Sequence, residues 1–356
     1  MYNSRLNKLR KILNEKNIES LLITNPANRT YLSGFTGTSG SLLITAEEAF
    51  LLTDFRYLEQ SREEAPLFET IERDKNFFNT AAGLVDRYEV KELAFEADHL
   101  IFDQYQALKD TLTGLTLIPS RGIIKEIRSV KDDEELALIR KAVGMADSAF
   151  EHILDFIRPG IRERELAAEL EYHMRLQGAD KASFDIIAAS GYRAALPHGK
   201  ATDKKLQKNE MVVLDFGALY KGYCSDFTRT VVVGKANDKQ REIYDIVLKA
   251  QLEALEFIGP GKTGHEVDRR ARDVISDMGY GEYFGHSLGH GVGMEIHEEP
   301  MLRKDHHESL APGMVVTVEP GIYIQGLGGV RIEDMVIITQ EGREILTKST
   351  KKLLEI

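Results

Sequence analysis

A chain of 356 residues, 42% hydrophobic and 29% charged, is too long for one ordinary domain and apolar enough to build more than one core without staples. Its single cysteine, Cys224, excludes an intramolecular disulfide and fits a reducing compartment, and a formal net charge of −11 disfavours nonspecific binding to nucleic acid or anionic lipid. The polar start, MYNSRLNKLRKILNEKNIES, reads as a helix without an apolar leader core. No stretch approaches the roughly 18 apolar residues of a membrane span, so a cytoplasmic protein is expected.

Up to about residue 121, short apolar runs alternate with helical stretches. SLLIT (20–24), SLLIT (41–45), AFLLT (49–53), ELAFEA (92–97) and LTLIP (115–119) read as strands, and 56–65, 77–88 and 102–110 as helices. This is an α/β pattern. GFTGTSG (34–40) is a loop but not a phosphate loop, because it lacks the Lys-Ser/Thr ending. A strong helix follows. Ser129 is placed to cap it, and Asp132, Asp133, Glu134 and Glu135 put negative charge at its positive end. Leu136, Ile139, Val143, Ala146, Phe150, Ile153 and Ile157 recur at helical spacing until Pro159-Gly160. The boundary is expected at 121–130, separating a domain 1–124 from a domain 125–356.

The second part repeats itself. The pentapeptide at 156–160, FIRPG, recurs at 257–261 as FIGPG, each followed by an amphipathic stretch (162–177, 264–278) that stops at a glycine suited to a left-handed cap, Gly178 or Gly279. Thr263 with Glu266 forms a capping box for the second. MVVLD (211–215) recurs as MVVTVE (314–319), and the two offsets, 101 and 103, nearly agree. Each half reads helix, helix, antiparallel strands, which predicts a pseudo-twofold domain with the strands at its centre.

Those strands carry Asp215 and Asp226 in one half, Glu319 and Glu333 in the other. Adjacent antiparallel strands bring residues of one face within about 5 Å, so each hairpin can present a carboxylate pair. Four carboxylates on apolar strands need compensation. Arg229 and Arg331 could supply it as a buried ion-pair network. Divalent cations are the other solution, and the Gly- and His-rich segment GHSLGHGVGMEIHEEP (285–300) offers His290 or His286 as a nitrogen ligand. Such a hard, oxygen-rich set suits Mn²⁺, Co²⁺, Fe²⁺ or Zn²⁺, and bridging between two ions would use all four carboxylates. His306 and His307 read as solvated loop residues. Alternation along the strand puts Cys224 on the face of Asp226, as a packing thiol rather than a nucleophile.

LDFGALYKGYCSDFTRT, GHGVGMEIHEEP, VEPGIY and GGVRIED resemble the prolidase and aminopeptidase P family, metallopeptidases of the pita-bread fold that cleave Xaa-Pro bonds. YLSGFTGTSG and LLTDFRYLEQ resemble the non-catalytic domain shared with creatinase. The resemblance implies an α/β creatinase-like domain and a mainly antiparallel catalytic domain. It implies two divalent ions per chain, Mn²⁺ first and Co²⁺ or Zn²⁺ as alternatives, on Asp215, Asp226, His290, Glu319 and Glu333, with Asp226 and Glu333 bridging. His198 would contact substrate, His297 would steady the scissile carbonyl, Arg331 would support the ligands and Glu319 would shuttle protons. A homodimer acting on small peptides with proline at the second position is implied. Several prolidases carry a basic residue after HEEP that holds a dipeptide's carboxylate; here it is Met301, with Arg303 nearby. An Xaa-Pro dipeptidase is expected. The alternatives are an aminopeptidase P on longer peptides, a methionine aminopeptidase, and a metal-free pita-bread binding module.

Overall fold

The apolar runs at 20–23, 41–45 and 49–53 are buried along almost their whole length, as strands of a covered sheet are. They belong to the first of two units, Met1–Arg128 and Ser129–Ile356, in a computed structural model that describes residues 1–75 and 77–356. The first unit runs α1 (Tyr2–Glu15), β1 (Ser20–Ile23), α2 (Pro26–Ser33), β2 (Ser41–Thr45), β3 (Ala49–Thr53), α3 (Leu58–Glu64), β4 (Glu69–Glu72), α4 (Phe77–Arg87), β5 (Glu92–Glu96), α5 (Phe102–Thr111) and β6 (Thr116–Ser120); α6 (Ile123–Ser129) leads out of it. The sheet order is β4-β3-β2-β1-β5-β6, parallel and antiparallel pairs mixed. The helix expected over 56–65 begins as a 3₁₀ turn, Phe55–Tyr57, before α3.

In the second unit α7 (Asp133–Ile153) starts later than expected. Its cap is Asp132, which accepts from the Glu135 N–H in a reciprocal capping box, while Ser129 ends α6. The carboxylate three residues before a glutamate outcompetes the serine. The helix also ends before Ile157. α8 (Glu163–Leu176) and α10 (Gly264–Asp277) fall in the two expected stretches, α10 with the Thr263–Glu266 box. Just beyond them Gly178 and Gly279 take φ values of 105° and 82°, where a Cβ would be strained. α9 (Asp238–Phe257) packs on α10 over Val247, Ala250, Val267 and Ala271.

The strands of this unit pair antiparallel. β7 (Lys181–Ala182) and β8 (Ile187–Ser190) precede β9 (Met211–Phe216), β10 (Ala218–Tyr220), β11 (Tyr223–Cys224) and β12 (Phe227–Val232). β9 and β12 form a six-residue ladder, prolonged by the β10–β11 hairpin. The second half repeats this plan. β13 (Gly289–Gly291) and β14 (Glu298–Leu302) precede β15 (Val315–Val318), β16 (Gly321–Ile324), β17 (Gly328–Arg331), β18 (Asp334–Ile338) and β19 (Arg343–Ile345). β15 and β18 form the ladder and β16–β17 the hairpin. In each half the ladder breaks before the hairpin starts. At the first break a Cβ on Gly217 would lie 1.8 Å from the Ser225 carbonyl oxygen, so the bend requires glycine there. No helix among the described residues is long and apolar enough to cross a membrane.

Candidate metal centre

The breaks in the ladders gather the acidic side chains. Asp215 sits near the end of β9, opposite Thr228 on one side and Ile187 on the other. Asp226 lies between β11 and β12, Glu319 just after β15, and Glu333 between β17 and β18. Oxygens of Asp215, Asp226 and Glu333 all lie within 4.8 Å of one another. His290, on β13, places Nε2 3.5 Å from Asp226 Oδ2 and 3.3 Å from Glu319 Oε1. Its Nδ1 faces the Gly291 carbonyl at 3.1 Å. A carbonyl only accepts, so Nδ1 carries the proton and Nε2 is turned to the carboxylates. Two groups therefore overlap at Asp226: Asp215, Asp226 and Glu333, and Asp226, His290 and Glu319.

Two threonines hold this arrangement. Thr228 Oγ1 donates to Glu333 Oε2 at 2.6 Å, and Thr317 Oγ1 donates to Glu319 Oε1 at 3.1 Å while accepting from the His290 N–H. Each threonine is two residues from a cluster carboxylate in sequence. That spacing is the one signal that could have marked them.

Burial, with the charge of the neighbouring carboxylates, pushes Asp226 and Glu333 well above the usual range and raises Asp215 as well. Burial acts on Glu319 too, but the hydrogen bond and charge of His290 outweigh it and bring Glu319 down to about 2. Burial would lower His290, but Glu319 lifts it to about 9. Of the two arginines expected to compensate, only Arg331 faces the cluster, 2.5 Å from Asp215 Oδ2 and 4.0 Å from Glu319 Oε2. Arg229 is turned to Asp334, 2.8 Å away. One arginine and one imidazole do not neutralise four carboxylates. Glu333 Oε1 is buried without any hydrogen-bond partner, an arrangement that costs on the order of 1–3 kcal/mol or more. The donor set and this orphaned oxygen fit divalent cations.

The cluster forms one wall of a cavity of about 500 Å³. His198, His286, His297, Lys200 and Met301 also line it. His297 stands edge-on to His290, ring centroids 4.4 Å apart, and burial together with the charge of His290 lowers its pKa, leaving a neutral ring. His286 bonds instead to the Tyr323 hydroxyl (3.0 Å) and the Ser287 carbonyl, so of the two candidate nitrogen ligands only His290 touches the carboxylates. His306 departs from expectation: its side chain is only 10% exposed, and its Nδ1 lies 4.0 Å from Glu299. Cys224, two residues before Asp226, does not line the cavity that Asp226 lines. The thiol packs with Leu136, Ile139 and Val143, and burial pushes it up to about 12, which makes it inert.

Sequence reasoning missed Glu163. It is fully buried at the start of α8 and accepts from the Ser190 N–H and hydroxyl, the Thr202 N–H and hydroxyl, and Arg193 Nε, all at 2.6–3.0 Å. These partners bracket the segment that carries His198. Nothing in its sequence context distinguishes it from Glu165.

The profile of metallopeptidase family M24 matches residues 137–340, and that of the creatinase/prolidase N-terminal domain matches residues 5–130. The Xaa-Pro dipeptidase of Pyrococcus horikoshii is 42% identical over 354 residues, covering 99% of each chain. The solved Xaa-Pro dipeptidase from Bacillus anthracis superimposes with a TM-score of 0.98 at 48% identity over all of both chains. An X-Pro aminopeptidase from Thermotoga maritima gives a TM-score of 0.89 at 39% identity, covering 96% of this chain and 98% of that one. The two units thus have the creatinase-like and pita-bread folds that the sequence motifs implied.

Proposed function

Given that the chain belongs to metallopeptidase family M24, we propose that it is an Xaa-Pro dipeptidase whose reaction is carried by residues from 125 onward, the first 124 forming the creatinase-like domain. Enzymatic peptide hydrolysis and a need for divalent metal follow from the family. The observation that carries the site assignment is the buried carboxylate cluster with its orphaned Glu333 oxygen, opening on a cavity lined with histidines. Relatives called Xaa-Pro dipeptidases, similar along the whole chain, support the substrate class.

Asp215, Asp226 and Glu333 would hold one ion, and Asp226, His290, Glu319 and Glu333 a second; we assign Mn²⁺. Bound there, divalent ions supply Lewis acidity and make a coordinated water acidic near neutral pH. Glu319, oriented by Thr317, takes a proton from the attacking water and passes it to the departing proline nitrogen. Its depression to about 2 depends on a protonated His290. A ligand imidazole is neutral, which returns Glu319 toward the ordinary carboxylate range. His297, neutral and close to the cluster, donates to the oxygen of the scissile carbonyl as negative charge develops. His198, which also lines the cavity, orients the substrate, and Arg331 fixes Asp215. Proline's nitrogen has no N–H once acylated, so peptidases that grip that donor fail. We place the protein in the cytoplasm as a homodimer.

The test is hydrolysis of Ala-Pro, Ala-Pro-Ala and Met-Ala with Mn²⁺, Co²⁺ or Zn²⁺ added. Ala-Pro is expected to be cleaved fastest. Preference for Ala-Pro-Ala would favour an aminopeptidase P, a reading that Met301 in the cavity wall keeps open. Cleavage of Met-Ala alone would point to a methionine aminopeptidase, and no cleavage with any metal to a binding module.

A further inference from the structure

A dipeptide substrate brings a C-terminal carboxylate one residue beyond the scissile bond, and the groups placed so far give it no partner. Met301, after the HEEP segment, contributes an uncharged side chain to the cavity wall. Arg303 pairs with Asp305 at 2.9 Å and is not part of that wall. Arg331 is in the wall, but it is buried and held by Asp215 and the Tyr323 hydroxyl. Among the described residues of the wall, the remaining lysine or arginine is Lys200.

Strand pairing sets its position. Lys200 forms an antiparallel bridge with Ile187, and Ile187 stands opposite Asp215 in the β8–β9 ladder. Residues directly opposite one another share a face, so Lys200, Ile187 and Asp215 form one row across the sheet, and all three line the cavity. Two strand spacings put the Lys200 backbone about 10 Å from that of Asp215. A lysine's flexible stem can carry its ammonium across much of that distance. Nζ now rests 2.5 Å from Asp185 Oδ2, with the two side chains 73% and 75% exposed. An ion pair so open to water is weak, so a substrate carboxylate can displace Asp185.

We propose that Lys200 receives the C-terminal carboxylate of the substrate, and that Asp185 holds the ammonium at the rim between turnovers. The assignment rests on the Xaa-Pro reading and gives it a physical basis for preferring a free acid. The experiment compares kcat/KM for Ala-Pro and for Ala-Pro-amide with Mn²⁺-loaded protein. The unsubstituted protein prefers the acid. In Lys200→Met, KM for Ala-Pro rises about tenfold, as expected for loss of a charge-assisted bond, kcat stays within about twofold, and the acid-over-amide ratio collapses. Lys200→Arg retains most of the ratio, and Asp185→Asn keeps or increases it. An unchanged ratio in Lys200→Met overturns the proposal while leaving the Xaa-Pro reading standing. Failure of the unsubstituted protein to cleave either compound overturns both.

Discussion

Arg229 and Arg331 are both buried, both close in sequence to a cluster carboxylate, and both reach from one half of the repeat into the other. Arg229, in the first half, binds Asp334 and the carbonyls of Glu333, Ser349 and Thr350 in the second. Arg331, in the second half, binds Asp215 and the Pro197 carbonyl in the first, along with Tyr323 of its own half. The difference lies in what their partners face. Asp334 is fully buried and also accepts from Gln251 and Lys351, so Arg229 completes a closed network. Asp215 lines the cavity, so Arg331 neutralises part of a site that still has negative charge to spare. An ion pair buried in a repeat therefore marks function only when its acid opens on a cavity.

The sharpest break in this comparison falls on Asp226, a carboxylate shared by both candidate groups. Asp226→Asn is expected to reduce kcat/KM for Ala-Pro at least about 10³-fold, equivalent to roughly 4 kcal/mol of barrier, with neither arginine disturbed; steady-state rates in Mn²⁺ check this. Next in size, Arg229→Met should lower stability by about 3 kcal/mol, because it strips a buried acid of its main cation. Urea unfolding should show it, while the folded fraction keeps its turnover of Ala-Pro. Arg331→Lys should do the reverse. Rate falls about 10- to 100-fold, as when a group supporting a metal ligand is changed, with a smaller shift in the urea midpoint.

The smallest effect belongs to the first half alone. Hydrogen bonds from Thr202 and Ser190 outweigh the burial of Glu163, which would raise its pKa, and hold it below the usual carboxylate value. A carboxyl depressed in the folded state stabilises the fold at pH above its unfolded value, and that contribution is lost as pH falls through the folded value. Glu163→Gln should therefore cost about 1–2 kcal/mol at pH 7 and progressively less below pH ~4. Thermal midpoints of the two proteins at pH 7 and pH 3.5 measure the convergence.

Much of this was legible because strong patterns act locally. Apolar runs bounded by turns marked β1, β2, β3 and β5, the Pro-Gly pentapeptides marked the repeat, and acids on apolar strands marked the site. What escaped notice depends on tertiary contact. Arg229 and Arg331 look alike until their partners are seen across the repeat. Cys224 and Asp226 stand two residues apart, yet only Asp226 reaches the cavity while the thiol joins an apolar cluster with Leu136 and Ile139. Ser129 was offered as a cap, but the box formed by Asp132 and Glu135 starts the helix three residues later. Glu163 gathers donors up to 39 residues away, a role no local pattern announces.

Metal content decides the central claim. Protein loaded with excess Mn²⁺, dialysed and analysed by inductively coupled plasma mass spectrometry should retain two ions per chain, and Glu333→Gln should retain fewer. No ion in the unsubstituted protein, or an equal content in Glu333→Gln, would contradict the account.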